Sequence, residues 1–202
     1  STPKKTSPKR LFWICALLLI LIVAGGGCGF ISATLSNLPD VSNVRPSASS
    51  QIYDVHGNLI TTVHSTENRL PVPLKDVPKD LQNAFVATED SRFYSHHGID
   101  PVGILRAVWV NIVHSGVSEG GSTITQQLAR NAFLSQDRTF KRKISEALLA
   151  LKIEQHYTKD EILEMYMNQI YFGQGAYGVQ SAAHVYFGKD ASQLTLAQAA
   201  LI

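Results

Sequence analysis

The chain has 202 residues, of which 45% are hydrophobic and 17% are charged. This composition suffices for one domain with a sizeable core and disfavours a disordered chain. Of the 18 basic residues, four fall within residues 1–10, which leaves 14 basic against 16 acidic residues elsewhere. That balance disfavours a nucleic-acid-binding protein.

An apolar segment follows the basic N-terminus. No charged side chain occurs from Leu11 to Pro39, and residues 11–24 are wholly apolar. Extended to residue 31, the segment has the ~20 residues that an α-helix needs to cross about 30 Å of hydrocarbon. We predict a transmembrane anchor at residues 11–31, with residues 1–10 as a cytoplasmic tail and the remaining chain outside the cytoplasm.

Two alternatives to an uncleaved anchor stay open at this point. A basic start before an apolar run is also typical of a cleaved signal peptide, although no clean small-x-small cleavage site follows. Cys28 resembles a lipoprotein acylation site, but Gly25 stands where such a site has a large aliphatic residue. Because Cys15 and Cys28 are the only cysteines, the exported part has no disulfide framework and no thiolate zinc site.

The residues after the anchor divide by pattern. Residues 32–50 are polar and contain two prolines, which predicts a linker. Residues 51–55 and 59–63 are rich in β-branched side chains and flank the turn His56-Gly57-Asn58. This arrangement predicts a small β-hairpin at the start of a domain that comprises residues 51–202.

From Pro78 onward the pattern predicts helices to the end of the chain. Two helix starts carry capping-box sequences, Thr158-x-x-Glu161 and Thr195-x-x-Gln198. The predicted fold class is therefore mainly α, with a small β-hairpin and one N-terminal transmembrane helix. Because Ile202 lies in an apolar helical run without a stop signal, we expect the domain to be truncated at its C-terminus.

Glu89 is the first candidate for chemistry. It follows Phe85 by four residues and so shares a face of the predicted helix. A carboxylate beside an aromatic ring loses hydration, which favours a general base. The alternative is a solvated helix end. No metal site is predicted at His96-His97, because adjacent histidines on one loop rarely bind the same ion and packing roles are more common.

A second polar segment spans residues 119–131. Its glycine turn precedes Ser122, which we predict to be the N-cap of a helix. Polar side chains on the exposed faces of this helix can hold sugar hydroxyls and a phosphate. An ordinary amphipathic helix would look similar. The candidate ligand-binding side chains are Gln126, Gln127, Arg130 and Asn131.

A third segment places four cations at a helix start, where the macrodipole already carries positive charge. These residues are Arg138, Lys141, Arg142 and Lys143. We expect this arrangement to cost stability unless an anion such as a pyrophosphate binds there, so neutralising a cation should maintain or raise stability. Anionic lipid headgroups are the alternative partner. Glu146 places a second carboxylate one turn further along.

With these segments in view, the sequence resembles the peptidoglycan glycosyltransferase domain of class A bifunctional penicillin-binding proteins and of monofunctional peptidoglycan transglycosylases. Five motifs of that family occur in order within about residues 85–202. The first three are Glu89-Asp90-x-x-Phe93-x-x-His96-x-Gly98, Gly121-Ser122-Thr123-Ile124-Thr125-Gln126-Gln127 with Arg130-Asn131, and Arg142-Lys143-x-x-Glu146-x-x-x-Ala150 with Glu154. The fourth runs from Lys159 through Ile162-Leu163-Glu164-x-Tyr166-Met167-Asn168 to Gly173, and the fifth contains Tyr186-Phe187-Gly188-Lys189 and the start of TLAQAALI. Arg130 and Met167 stand where the family usually has Lys and Leu.

The resemblance implies a lysozyme-like helical fold. It also implies an enzyme at the membrane that polymerises lipid II by joining a growing lipid-linked glycan chain to it. By motif, Glu89 would deprotonate the GlcNAc 4-hydroxyl of the acceptor, and Glu146 would assist near the leaving group or orient the substrate. The residues implied to hold the donor pyrophosphate are Arg130, Arg138, Arg142 and Lys143. Those implied to line the sugar cleft are Ser122, Gln126 and Gln127.

The resemblance implies no certain cofactor and no protein metal site, but it leaves room for Mg²⁺ or Mn²⁺ at the pyrophosphate. Other cell-wall synthesis proteins are possible partners. A glycan-cleaving enzyme is an alternative that could use two carboxylates in a helical fold, but it would not need the basic helix start. A non-catalytic cell-wall-binding module would not need the two carboxylates. A nucleotide-sugar transferase is disfavoured because no Rossmann-type pattern is present.

Overall fold

The computed structural model describes residues 29, 32–42, 50–57, 59–63, 68–114, 120–135, 137 and 139–202. The chain forms two compact units, Ser1–Pro39 and Asp40–Ile202. Apart from Gly29, the predicted anchor at residues 11–31 lies outside the described residues. Within the described part of the chain, no helix is both long and apolar enough to cross a membrane. Residues 32–36, at the start of the predicted linker, are helical.

The second unit begins with the predicted hairpin. Strands β1 (Ser50–Tyr53) and β2 (Leu59–Val63) pair antiparallel. At the turn, Gly57 has a positive φ of 82°, a backbone conformation that glycine adopts without steric cost. The hairpin prediction is confirmed, although β1 starts one residue inside the predicted linker.

A second, parallel pair of strands was not predicted. Strand β3 (Asn68–Arg69) pairs with β4 (Ala176–Tyr177), and the register places Arg69 beside Tyr177. The prediction of continuous helix from Pro78 to the end of the chain is therefore wrong at β4. A strand of two residues shows no periodicity from which it could be recognised.

Helices make up most of the second unit, so the prediction of a mainly α fold is confirmed. Short 3₁₀ turns connect several of them, at Leu74–Asp76, Phe93–Ser95 and Ala191–Gln193. The α-helices are α1 (Lys79–Glu89), α2 (Pro101–Val113), α3 (Ile124–Phe133), α4 (Phe140–His156), α5 (Lys159–Met167), α6 (Val179–Phe187) and α7 (Leu196–Ala199).

Local capping explains where several helices begin. The predicted capping boxes of Thr158 with Glu161 and of Thr195 with Gln198 are both present, at the starts of α5 and α7. A third box starts α3, where the Thr123 hydroxyl accepts from the Gln126 backbone N–H. The predicted N-cap Ser122 is thus wrong by one residue, because Thr123 satisfies the free N–H groups of this helix end.

The core lies where α3 packs against α4 and α5. The side chains at its centre are fully buried, and each contributes roughly 1.5–3 kcal/mol through removal of apolar surface from water. They are Ile124, Leu128, Leu149, Ile153, Ile162 and Leu163. This packing fixes α3 between two neighbours and so determines which of its side chains face the cavities described next.

Candidate active site

Glu89 is the last residue of α1, and its side chain is exposed. The predicted loss of hydration beside Phe85 is therefore wrong. The next residue, Asp90, is buried, and its carboxylate accepts hydrogen bonds from the Ile124 backbone N–H (3.0 Å) and from His96 Nε2 (2.9 Å). Asp90 thus ties the end of α1 to the start of α3 and sets the position of Glu89.

Two polar side chains connect Glu89 to α5. The Gln127 amide Nε2 donates to Glu89 Oε2 at 2.8 Å, and its Oε1 accepts from the Tyr166 hydroxyl at 3.2 Å. Burial raises the pKa of Tyr166, and the negative charge of Glu89 adds to that effect while Arg130 opposes it. The Tyr166 hydroxyl therefore remains protonated and acts as the hydrogen-bond donor to Gln127.

Glu89 borders several cavities, two of which have volumes of about 670 and 720 Å³. Gln127 and Arg130 also line both of them. The first cavity is lined largely by aromatic and basic side chains, which include Arg69, Phe85, Tyr166, Tyr171, Phe172 and Tyr177. The second is more polar, and its lining includes Thr88, Ser91, Arg106, Gly120 and Ser122. The exposed Glu89 carboxylate therefore lies where the two cavities adjoin.

The start of α4 places cations around a buried carboxylate. Glu146 is fully buried and makes ion pairs with Arg142 and Lys143. Lys143 Nζ also donates to the Ser122 hydroxyl at 2.7 Å, and Ser122 lines the second cavity. The Lys143 side chain is 43% exposed, so its ammonium group lies at the edge of that cavity and can contact a ligand.

The predicted cations of this segment differ in their surroundings. Arg142 faces inward, with its side chain 15% exposed and its Nε donating to the Asp137 carbonyl. Arg138 lies outside the described residues. Lys141 is exposed to solvent. The predicted cost of cations at a helix start is offset for Arg142 and Lys143, because Glu146 supplies negative charge beneath them.

Gln126 has surroundings unlike those predicted for a residue of the sugar cleft. Its side chain is buried, and its Oε1 accepts from the Thr123 backbone N–H at 3.0 Å. Its amide therefore stabilises the helix start. Arg106 of α2 and Arg69 of β3 line the cavities but were not predicted, since neither has a recognisable local spacing and only the tertiary fold brings them to the cleft.

The remaining residues of the first motif support the site. Phe93 is fully buried, and His96 is buried against Asp90, which confirms the packing role predicted for this histidine. Gly98 has φ of +87°, and a Cβ there would lie 2.9 Å from the backbone of Ala150 in α4. Glycine is needed at this position because any side chain would push α4 away.

The sequence comparisons agree with the motifs. A family model described as "Transglycosylase" matches residues 56–202. The chain belongs to the transglycosylase family. This confirms the predicted family and the predicted enzyme class, a glycosyltransferase domain.

Several curated relatives are similar over almost the whole chain. Penicillin-binding protein 1A of Escherichia coli is 52% identical over 96% of the chain, which corresponds to 23% of that relative. Penicillin-binding protein 1F of Bacillus subtilis is 44% identical over 98% of the chain and 28% of the relative. Penicillin-binding protein 1A of Aquifex aeolicus is 47% identical over 96% of the chain and 27% of the relative. The chain spans about a quarter of the length of these relatives.

The side chains that could ligate a metal ion in this transglycosylase domain do not fit a resident metal site. No group of three or more His, Cys, Asp or Glu side chains lies together in the described ranges. The second cavity is lined by Arg106 and Arg130, with Lys143 at its edge, and cations do not ligate a metal. Glu89 is the carboxylate shared by both cavities, and one of its oxygens already accepts from Gln127.

Proposed function

We propose that this domain is a peptidoglycan glycosyltransferase that polymerises lipid II. It transfers the growing glycan chain from its lipid-linked pyrophosphate to the GlcNAc 4-hydroxyl of lipid II. Glu89 accepts the hydroxyl proton while the oxygen attacks the anomeric carbon from the face opposite the pyrophosphate. The C1–O bond breaks, the pyrophosphate takes the electron pair, and the α-linkage becomes β.

The position of Glu89 between two cavities is the observation that supports this proposal best. A single displacement requires both sugars to be bound at once, with the general base within reach of the attacking hydroxyl. The exposed Glu89 carboxylate borders both volumes, so an acceptor bound in one and a donor bound in the other would meet beside it. A non-catalytic sugar-binding module would not need this arrangement.

We assign the donor pyrophosphate to the cationic side of the site. Lys143 is the described cation of α4 that is both partly exposed and hydrogen-bonded to a cavity residue, Ser122. Arg130 lines both cavities, and Arg138 is a further candidate from the sequence. Short charge-assisted contacts from these groups would stabilise the negative charge that develops on the leaving group.

In this proposal Glu146 acts by positioning cations. Its full burial beneath Arg142 and Lys143 prevents direct contact with a sugar. One carboxylate between two cations leaves a local charge of +1, which keeps the site attractive to an anion. A divalent cation would have to be ligated by pyrophosphate oxygens, and we derive no step through it.

We further propose that the domain works at the outer surface of the cell membrane. Residues 11–31 would be the anchor and residues 1–10 the cytoplasmic tail, as their composition predicts. The α2 helix exposes large apolar side chains at helical spacing, a feature that marks interaction surfaces. These are Val102, Leu105, Trp109 and Ile112, which are 54–70% exposed. Such a face can contact the lipid of the substrate or the bilayer that holds it.

Product analysis tests the proposed activity. The full chain in detergent is incubated with lipid II or with preformed uncrosslinked glycan strands, and product lengths are measured. Longer strands from lipid II are expected. Shorter strands from preformed glycan would instead show a hydrolase or lytic enzyme, and a binding module would leave both substrates unchanged.

Deletion of residues 1–31 tests the membrane proposal. We expect the shortened chain to retain its helical circular dichroism but to use lipid II in vesicles poorly, while detergent-dispersed lipid II is used normally. A matched variant, Leu105→Ser in the full chain, tests the contribution of α2. Equal activity of the deletion variant and the full chain on vesicles, at matched enzyme and lipid, would contradict the proposed role of the anchor.

A further inference from the structure

Three side chains from three helices form one line of hydrogen bonds that ends at Glu89. Tyr166 on α5 donates to Gln127 on α3, and Gln127 donates to Glu89 at the end of α1. Tyr166 is 3% exposed and its ring packs edge-on against Phe85, with centroids 6.2 Å apart. The hydroxyl therefore has a fixed position from which to act on the amide.

The Tyr166 hydroxyl and the Glu89 carboxylate hold the Gln127 amide in one orientation. A primary amide has a donor end and an acceptor end of nearly the same shape, and its orientation follows from its hydrogen-bond partners. The NH₂ group faces Glu89 Oε2 because a carboxylate only accepts hydrogen bonds, and the Tyr166 hydroxyl anchors the other end of the amide by donating to Oε1. The opposite orientation would direct an amide oxygen at a carboxylate oxygen, which is repulsive.

We propose that Tyr166 is a positioning residue for Glu89, acting through the amide of Gln127. This inference rests on the proposed function, in which Glu89 is the general base. Gln127 occupies Oε2 of the carboxylate, whereas Oε1 accepts no hydrogen bond from the described residues. The pair therefore holds the carboxylate in one orientation and leaves Oε1 to accept the proton of the acceptor hydroxyl.

The positioning role differs from a role in binding. Holding a base in the reactive geometry affects the chemical step, whereas a contact to bound sugar that is equal in the ground and transition states affects KM alone. The predicted signature of a positioning role is therefore a lower kcat with a nearly unchanged KM.

Tyr166→Phe is the direct test, because it removes one hydroxyl and leaves the packed ring. In the full chain with lipid II we expect kcat to fall about fivefold and KM to stay within about twofold. Tyr157→Phe is the matched control, since it also loses a hydroxyl bond, at 2.8 Å to the Val41 carbonyl, but Tyr157 lines neither of the two cavities that meet at Glu89. Its kcat and KM should remain those of the parent chain.

A double-mutant cycle tests whether Tyr166 acts through Gln127. Gln127→Met keeps the length of the side chain and removes both hydrogen bonds. If the tyrosine works only by orienting the amide, the double variant should have the same kcat as Gln127→Met alone. Multiplicative losses of kcat in the double variant, or a Tyr166→Phe variant that is changed in KM alone, would overturn the proposal.

The outcome for Glu89→Gln separates this inference from the function on which it rests. If Glu89→Gln polymerises lipid II at the parent rate, Glu89 is not the base and both proposals fail. If Glu89→Gln is inactive while Tyr166→Phe retains the parent kcat, only the positioning role fails. Thermal unfolding of every variant identifies any loss of activity that is due to unfolding.

Discussion

The two carboxylates of the site differ in almost every physical respect. Glu89 lies exposed at the end of α1 with one neutral hydrogen-bond partner, Gln127. Glu146 lies fully buried at the start of α4 between two cations, Arg142 and Lys143. A carboxylate in the first surroundings can meet a substrate and take a proton, whereas one in the second is committed to neutralising its neighbours.

This difference separates two ways of contributing to one reaction. Substituting an exposed carboxylate should remove chemistry and leave the fold, because no buried group loses its partner. Substituting a buried carboxylate should weaken the fold first, because two cations lose their counter-charge. Activity and stability measured together therefore distinguish the roles of Glu89 and Glu146.

The largest effect on activity is expected for Glu89→Gln. The amide retains the shape and an acceptor for Gln127 but cannot take a proton at neutral pH, so polymerisation should fall about 10²-fold or more. The free energy of unfolding should change by no more than about 0.5 kcal/mol. Asp80→Asn, which alters another exposed carboxylate of α1, is the control and should retain full activity. Polymerisation by Glu89→Gln at the parent rate would exclude it as the base.

For Glu146→Gln we expect the main effect on stability, whereas for Glu89→Gln we expect it on activity. Loss of the buried charge should lower the free energy of unfolding by about 3 kcal/mol and weaken donor binding, both measurable by chemical denaturation and by KM for the lipid-linked donor. Glu154→Gln is the matched control. Glu154 is also largely buried and bonded to Lys159 and Thr125, so this variant should lose stability without losing donor affinity. Unchanged stability of Glu146→Gln would show that its two ion pairs contribute little.

A smaller effect is expected where a single cation is removed. Lys143→Ala should reduce donor use about tenfold, because it removes one charge-assisted contact, whereas exposed Lys141→Ala should have little effect. The stability of Lys143→Ala should fall by about 1 kcal/mol, since Glu146 loses a partner. The sequence alone led us to expect that neutralising either cation maintains or raises stability. With Glu146 beneath Lys143, we now keep this expectation only for Lys141. Equal activity losses at both positions would favour binding to anionic lipid headgroups.

Local features of the fold were predictable, and contacts between distant residues were not. The capping box of Thr158 with Glu161 and the hairpin at Gly57 follow from residues close together in the chain. The pairing of Arg69 with Tyr177 joins residues more than one hundred positions apart through strands of two residues, and no local pattern indicates such a pairing.

The same limit applies to the site. The motifs identified Glu89, Lys143 and Glu146 as candidates, but helical periodicity shows only which residues share a face and not what lies opposite that face. The exposure of Glu89 and the burial of Glu146 both depend on packing between helices. The role of Tyr166 depends on α5 lying beside α3, so neither residue type nor spacing could reveal it.

The smallest effect is expected at the ion pair of Arg92 with Asp100. The Asp100 carboxylate is more buried than that of Glu89 and less buried than that of Glu146. Burial of Asp100 opposes its charge, but the hydrogen bonds from Arg92 prevail and lower the pKa of Asp100 below its ordinary value. Ionised Asp100 therefore contributes stability at pH values above that ordinary pKa, about 3.9, and this contribution is lost as the pH falls through the lower folded-state pKa.

Because Asn retains an acceptor for the Val102 N–H that caps α2, Asp100→Asn should cost only about 1 kcal/mol at pH 7. The difference in Tm between the variant and the parent chain should shrink as the pH is lowered below about 4. A difference in Tm independent of pH would mean that Asp100 stabilises the fold by its shape and not by its charge, and would weaken the same electrostatic argument for Glu146.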